Sequence, residues 1–316
     1  MGQFHAARLA ENSDAEFAGC FDIDRGRAKA VANRFAVVDF EDMESMLSAM
    51  DAVSVAVPTN AHWNVASQFL EAGIAVLLEK PIASDLESAE KLVAVAEKNE
   101  VILQIGHSER FNPAFMAVEK SISDPKFVEI HRLAPPKGRG DDVAVILDLM
   151  VHDLDLIMAL TGSLPEKIDA VGVAVITDSV DIANTRLSFP GGCVANITAS
   201  RISIKEMRKL RVFEKSGYTS VDMAARTAER YLVVDQHARE FENAPVFGRF
   251  QLPDGRAVVR DEVEIPPGDN LQYEVASFID AIRKGHRPAV SGRDGLNVLR
   301  VAAEIEKRCQ DYLKNL

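Results

Sequence analysis

The chain has 316 residues, 47% of them hydrophobic and 27% charged, which is the size and composition of a globular protein with room for two domains. Its formal net charge of −12 argues against nucleic acid as a partner, because phosphate backbones are bound by a surplus of Lys and Arg, and it disfavours anionic membrane surfaces. The most apolar region, VAVILDLMVHDLDLIMAL (143–160), is interrupted by Asp148, His152, Asp153 and Asp155 and does not suit a bilayer span; the start of the chain carries no secretory pattern, and Ala6 breaks the myristoylation pattern that MGQFHA begins.

In chain order, Phe4, Ala7, Leu9 and Ala10 suit one short helix, and AEFAGCF then reads as a strand ending at Asp22. Up to about residue 118, further runs of strand length (AVSVAVP, IAVLLEKP, VILQIGH) alternate with RGRAKAVANRF, HWNVASQFLEAG and LESAEKLVAVAEKNE, each with helical apolar spacing. Runs so poor in charge fit strands buried on both faces, so the alternation predicts a doubly wound α/β domain with a parallel sheet. After residue 120, KFVEIHRLA, KIDAVGVAVIT, DIANTRLSF, CVANITASRIS, KLRVFEKSG, YTSVDMA and RYLVVD predict a mostly antiparallel sheet. Helices are expected near 142–161, 269–284 and 293–313, and APPKGRGDD (134–142) reads as a loop beside a site. Cys20, Cys193 and Cys309 are far apart and lack metal-ligand spacing; they read as free thiols in a reducing, cytosolic setting.

Several residues could carry chemistry. Asp22, directly after a strand, stands where an acidic residue grips a ribose 2′-hydroxyl, or simply opens a turn; Arg25 nearby keeps a 2′-phosphate open. Pro58 stops a strand at its carboxyl end, where Thr59, Asn60 and His62 could meet a cofactor or cap a helix. Glu79 and Lys80 end a buried strand, where charges are costly unless paired or used, and Lys80 could hold a substrate oxygen. Asp148, His152 and Asp155, at i, i+4 and i+7, share one helix face. A carboxylate one turn from an imidazole makes a general base; the alternatives are a satisfied core histidine or a metal site, for which no further His or Cys cluster completes a shell. His107, Glu109, Arg110 and Asn112 crowd the end of the first domain, as ligand contacts or as turn and cap residues. Arg201, Lys205 and Arg208 could meet an anionic group or form a solvated strand face.

VPTNAH, EKPIASDLESAEKLVAVAE, DLMVHDLDLIMALTG and the closing YEVASFIDAIRKGHRPAVSGRDGLNVLRVAAEI together resemble the family of glucose–fructose oxidoreductase, inositol dehydrogenase and the rhizopine-catabolism protein MocA (Gfo/Idh/MocA), over essentially the whole chain. The resemblance implies an NAD(P)-binding Rossmann-like domain at 1–118 and a substrate-binding α+β domain at 119–316 whose large open sheet joins a homodimer or homotetramer. The family's EKP lysine falls on Lys80, with a cis Lys80–Pro81 peptide, and its D-x-x-x-H pair on Asp148 and His152. Gly2, Asp22, Arg25, Pro58, Thr59, Asn60, His62, Glu79 and Lys80 are then the cofactor residues, and Arg110, Asn112, Asp155 and Arg201 the substrate residues. QIGHSERFNPAF and ASRISIKEMRKLRVF look most like UDP-N-acetylglucosamine 3-dehydrogenases, implying NAD as cofactor, with NADP possible, and a nucleotide-linked amino sugar as substrate. The alternatives are a free sugar or inositol dehydrogenase, and a sugar-binding protein without catalysis.

One departure stands out. The family's G-x-G-x-x-G turn follows a first strand, and this chain retains only its last glycine, Gly2. A central strand of about six apolar residues contributes ~1.5–3 kcal/mol per buried side chain, so a gap in the sheet is expected between AEFAGCF and AVSVAVP. The expectation is that the coding sequence continues upstream of Met1.

Overall fold

The computed structural model describes residues 1–136, 143–235, 237 and 249–314; residues 137–142 of the predicted APPKGRGDD loop lie outside them. The chain forms two compact units: Met1–Phe111 with Asp269–Leu299, and Asn112–Gly268 with Arg300–Leu316.

The first unit alternates helices and parallel strands. Its strands are β1 (Gly19–Cys20), β2 (Val38–Asp39), β3 (Ala52–Val55), β4 (Ala75–Glu79) and β5 (Leu103–Gly106). Its helices are α1 (Gly2–Glu11), α2 (Arg25–Phe35), α3 (Met43–Leu47), α4 (His62–Glu71) and α5 (Leu86–Lys98). The strands divide into two parallel sheets, β1–β2 and β3–β4–β5, so the expected gap falls between β1 and β3. In β4, Val76, Leu77 and Leu78 are wholly buried, as a strand covered on both faces requires. Asp24 caps α2 by accepting the N–H groups of Gly26 and Arg27, and Asp85 caps α5 by accepting that of Ser88.

Two helices close the chain: α8 (Asn270–Lys284) and α9 (Gly292–Lys314). The sequence reading assigned both to the second domain. Instead, Val275, Phe278 and Ile279 of α8 form one core with Ala75 and Leu77 of β4. A Cβ on Gly295 in α9 would stand 2.7 Å from Ile105 Cγ1, so glycine allows this helix to lie directly on β5. The compact units meet in sequence at Phe111/Asn112, and Asp269–Leu299 belongs to the first of them.

The second unit opens with α6 (Pro113–Glu119) and is built on nine strands. They are β6 (Phe127–Leu133), β7 (Lys167–Val173), β8 (Ile182–Ser188), β9 (Val194–Ser200), β10 (Met207–Glu214), β11 (Gly217–Asp222), β12 (Thr227–Asp235), β13 (Arg249–Gln251) and β14 (Arg256–Asp261). Their order is β13-β14-β12-β11-β10-β6-β9-β8-β7, antiparallel throughout except for β6 beside β9, which is parallel. Burial alternates along the central strands: Val128, Ile130 and Arg132 of β6 face inward, as do Ala195, Ile197 and Ala199 of β9. Arg132 turns its guanidinium to Asp153, with Nε at 2.9 and 3.0 Å from the two carboxylate oxygens and Nη2 at 2.7 Å from one of them. Asp153 lies on α7 (Val151–Thr161), so this buried fork fixes the helix on the sheet. No described helix is long and apolar enough to cross a membrane.

Candidate active site

In the first unit, six of the predicted cofactor residues (Pro58, Thr59, Asn60, His62, Glu79 and Lys80) lie at or just after the carboxyl ends of β3 and β4. Gly2 opens α1, and apart from its chain neighbours and the helix's own backbone no described atom lies within 4 Å of the place its Cβ would take. The N–H groups of a first helical turn lack helical partners, so such an end can receive an anion. Asp22 accepts the N–H of Asp24 at 2.8 Å, closing a turn. Arg25 is already held: Nη2 lies 2.7 Å from Asp39 and Nη1 donates to the Phe40 carbonyl at 2.5 Å. After β3, Pro58 precedes a single turn, Thr59–Ala61, and Asn60 is exposed.

His62 is buried, with Nδ1 at 3.0 Å from the Pro81 carbonyl and Nε2 at 3.1 Å from that of Val57. It therefore staples the end of β3 to the Lys80–Pro81 turn, whose peptide is cis as expected. Burial pushes its pKa down, against the upward pull of the Val57 and Pro81 carbonyls. A neutral ring has one N–H, so it donates to one of these carbonyls at a time.

Glu79 and half-buried Lys80 end β4. Glu79 Oε1 lies 2.7 Å from His5 Nε2, and the other ring nitrogen of His5 lies 2.8 Å from Ser54 Oγ. One buried imidazole in α1 thus joins β3 to β4. Sequence reasoning missed His5; the available signal was a polar residue on the apolar side of a short helix. On the far side of Glu79, a Cβ on Gly106 would stand 3.2 Å from the Glu79 Cα, so glycine lets β5 end close against it. Arg110 sits in the short turn Ser108–Phe111, beside buried His107 and Glu109.

In the second unit, Asp148 and His152 straddle a change of helix type. Ile146–Met150 is a π-helical turn that runs into α7. π turns close their hydrogen bonds one residue later than α turns and widen the helix locally, a feature frequent at functional sites. Asp148 and His152 are half-buried one turn apart, whereas Asp155, expected on the same face, is 1% exposed.

Asn112 and Arg201 have evident structural tasks. The Asn112 amide donates to the Met223 carbonyl at 3.0 Å, while its oxygen accepts the Ala114 N–H at 3.1 Å and so caps α6. Arg201 is 6% exposed and pairs with buried Asp181 at 2.8 Å. Arg208 pairs with Glu206 at 2.8 Å. Cys193 and Cys309 are free and buried, and burial pushes each thiol up to about 11, which fits packing rather than chemistry.

Comparison with known proteins agrees with this architecture. Residues 1–107 match the oxidoreductase family with an NAD-binding Rossmann fold, and residues 124–218 match the GFO/IDH/MocA C-terminal domain. The chain is 36% identical over 317 residues to the UDP-N-acetylglucosamine 3-dehydrogenase of Acidithiobacillus ferrooxidans, covering 99% of this chain and 96% of that one. A solved structure of that enzyme superposes with a TM-score of 0.87 at 34% identity, over 99% of this chain and 95% of the other. The inositol 2-dehydrogenase of Rhizobium meliloti is 27% identical over 96% of this chain and 92% of its own length. Family matches over both halves and a relative 36% identical over 99% of the chain lead to one group: this chain belongs to the Gfo/Idh/MocA family of NAD-binding oxidoreductases.

Proposed function

We propose that this protein oxidises a hydroxyl of a nucleotide-linked amino sugar, of the UDP-N-acetylglucosamine type at C3, with NAD as the acceptor. The observation that carries the substrate class is the 36% identity to a UDP-N-acetylglucosamine 3-dehydrogenase across 99% of the chain. The open space at Gly2 on the α1 N-terminus fits a pyrophosphate, and Asp22, two residues after β1, fits a ribose hydroxyl. Because Asp39 and the Phe40 carbonyl already engage Arg25, NAD is favoured over NADP.

When bound, the nicotinamide supplies the hydride acceptor. His152 removes the hydroxyl proton, and Asp148, one turn earlier, orients the imidazole and stabilises its charged form. Lys80 steadies the substrate oxygen, while the His5–Glu79 and His62–Pro81 contacts hold the backbone on either side of it. In this reading 1–118 is the cofactor domain, which also carries Arg110 and Asn112, and 119–316 is the substrate domain, with His152 and Asp155.

The outer face of the nine-stranded sheet supports a homodimer or homotetramer. Phe127, Phe213, Tyr218 and Tyr231 form a row across four strands, with ring centroids 5.7, 4.8 and 6.0 Å apart. Val171 and Val173 are 43% and 41% exposed on the same sheet, and such a face is commonly covered by a second copy. The setting is cytoplasmic.

The direct test incubates the protein with NAD and UDP-N-acetylglucosamine, follows reduced cofactor by absorbance and weighs the product. A product lighter by two hydrogens is expected. Turnover of myo-inositol but not of the nucleotide sugar would support the inositol dehydrogenase reading, motivated by the Rhizobium meliloti relative. Binding of both ligands without turnover would identify a sensor.

A further inference from the structure

The helix that carries Asp148 and His152 has no side-chain cap of its own at Val145. Its first residues are held from outside. Val145 N–H donates to the Val180 carbonyl at 3.0 Å, and the Val143 carbonyl accepts from Arg201 Nη1 at 2.5 Å. The turn then builds directly on these residues, since Leu147 N–H and Asp148 N–H both donate to the Ala144 carbonyl, at 3.0 and 3.1 Å.

The holder is itself fixed. Besides Val143, the Arg201 guanidinium donates from Nε to Asp181 Oδ1 at 2.8 Å and from Nη2 to Ser179 Oγ at 2.6 Å and Thr177 Oγ1 at 3.0 Å. Asp181 is fully buried. Its Oδ2 accepts the N–H groups of Val175, Ile176 and Thr177 at 2.7, 2.7 and 3.1 Å, and its Oδ1 also accepts the Thr177 hydroxyl at 2.8 Å. Burial by itself would raise the pKa of this carboxyl. The N–H groups of Ile176 and Val175, then Arg201 and Thr177, outweigh burial and hold it well below the usual carboxylate range. The pair is therefore buried and bonded to the 175–179 segment that precedes β8 and to the Val143 carbonyl.

We propose that Arg201 and Asp181 form a positioning clamp that sets the start of the Asp148–His152 turn, in place of the substrate contact that the sequence suggested for Arg201. The role rests on the reading of His152 as the proton acceptor. Only a planar guanidinium can serve a carboxylate, two hydroxyls and a carbonyl at once; a lysine retains the charge and loses the fork. A small displacement of Val143 passes through Ala144 to Asp148, and misplacement of about 1 Å is enough to cost up to 100-fold in rate.

The test compares wild type with Arg201→Lys and Asp181→Asn by amide hydrogen exchange and by kinetics with NAD and UDP-N-acetylglucosamine. The expected result is faster exchange at Val145, Leu147 and Asp148, with Ala195 and Ile197 of β9 unchanged. In the same variants kcat falls about tenfold or more while KM stays within about twofold. Added guanidinium partly restores kcat in Arg201→Ala. If one variant does not fold, the other carries the comparison. Unchanged exchange at 145–148 in a folded variant, or a loss confined to KM, overturns the clamp. Faster exchange with unchanged kcat shows that the pair steadies the turn without positioning His152, and overturns the positioning role. If wild type does not turn over this sugar, the exchange data alone decide.

Discussion

His62 and His152 differ in environment more than in sequence context. His62 sits between two carbonyls and is buried, while His152 is half-buried on the turn after Asp148. For the acid–base roles, His152→Ala and Lys80→Ala should each lower kcat by about 100-fold or more, and Asp148→Asn should lower it with little change in NAD affinity. Steady-state kinetics on folded variants checks this; a normal kcat in His152→Ala would sink the assignment. Asp22→Ala should weaken NAD more than NADP, read by fluorescence titration of each cofactor. For His62 the expectation concerns stability. Burial lowers its folded pKa, so between that value and the ordinary histidine range the unfolded chain binds more protons. Its contribution is complete above the ordinary range and is lost as pH falls through that range toward the folded value. Urea midpoints measured at about pH 7.5 and 5.5 should therefore differ less in His62→Gln than in wild type. Equal differences in both proteins would contradict this role. The residue types at this site were readable from the chain, but the partners were not: His5 and Glu79 are 74 residues apart, and no local pattern announces such a contact.

At the scale of elements, local pattern went far where burial and periodicity agree. RGRAKAVANRF is α2 residue for residue, and the strands read from AVSVAVP, IAVLLEKP and VILQIGH are β3, β4 and β5 with trimmed ends. The strands β13 and β14 went unread, because QLPDGRAVVRD lies in a charged stretch whose alternation is short. The π turn at Ile146–Met150 was likewise invisible: the same apolar spacing serves an α or a π turn, and the choice depends on what packs around it. The placement of α8 was set by its partner. Val275, Phe278 and Ile279 suit any apolar surface, and the one they cover is β4 of the first unit. Phe278→Ala should accordingly cost ~3–5 kcal/mol in urea unfolding, the usual range for an emptied aromatic site in a core. A loss below about 1 kcal/mol would mean that α8 contributes little to that unit.

For the whole molecule, the row Phe127–Phe213–Tyr218–Tyr231 makes a direct prediction. If the sheet face joins two copies, Phe213→Arg together with Tyr231→Arg should convert an oligomer to monomer in sedimentation velocity, with secondary structure retained. A wild-type monomer at micromolar concentration would remove this surface from consideration. By itself the sequence determined the class of each half, the order of nearly all helices and strands, and the family, because buried parallel strands, amphipathic helices and the EKP and D-x-x-x-H motifs are local and survive without context. Tertiary structure alone decided that Asp269–Leu299 returns to the first unit, that Asn112 is a helix cap, and that Arg201 is consumed by Asp181, Val143, Thr177 and Ser179. The reason is physical: a charged or amide side chain has the same donors and acceptors in any role, and whether it meets a ligand or a neighbour depends on which distant backbone groups the fold brings within about 3 Å of it.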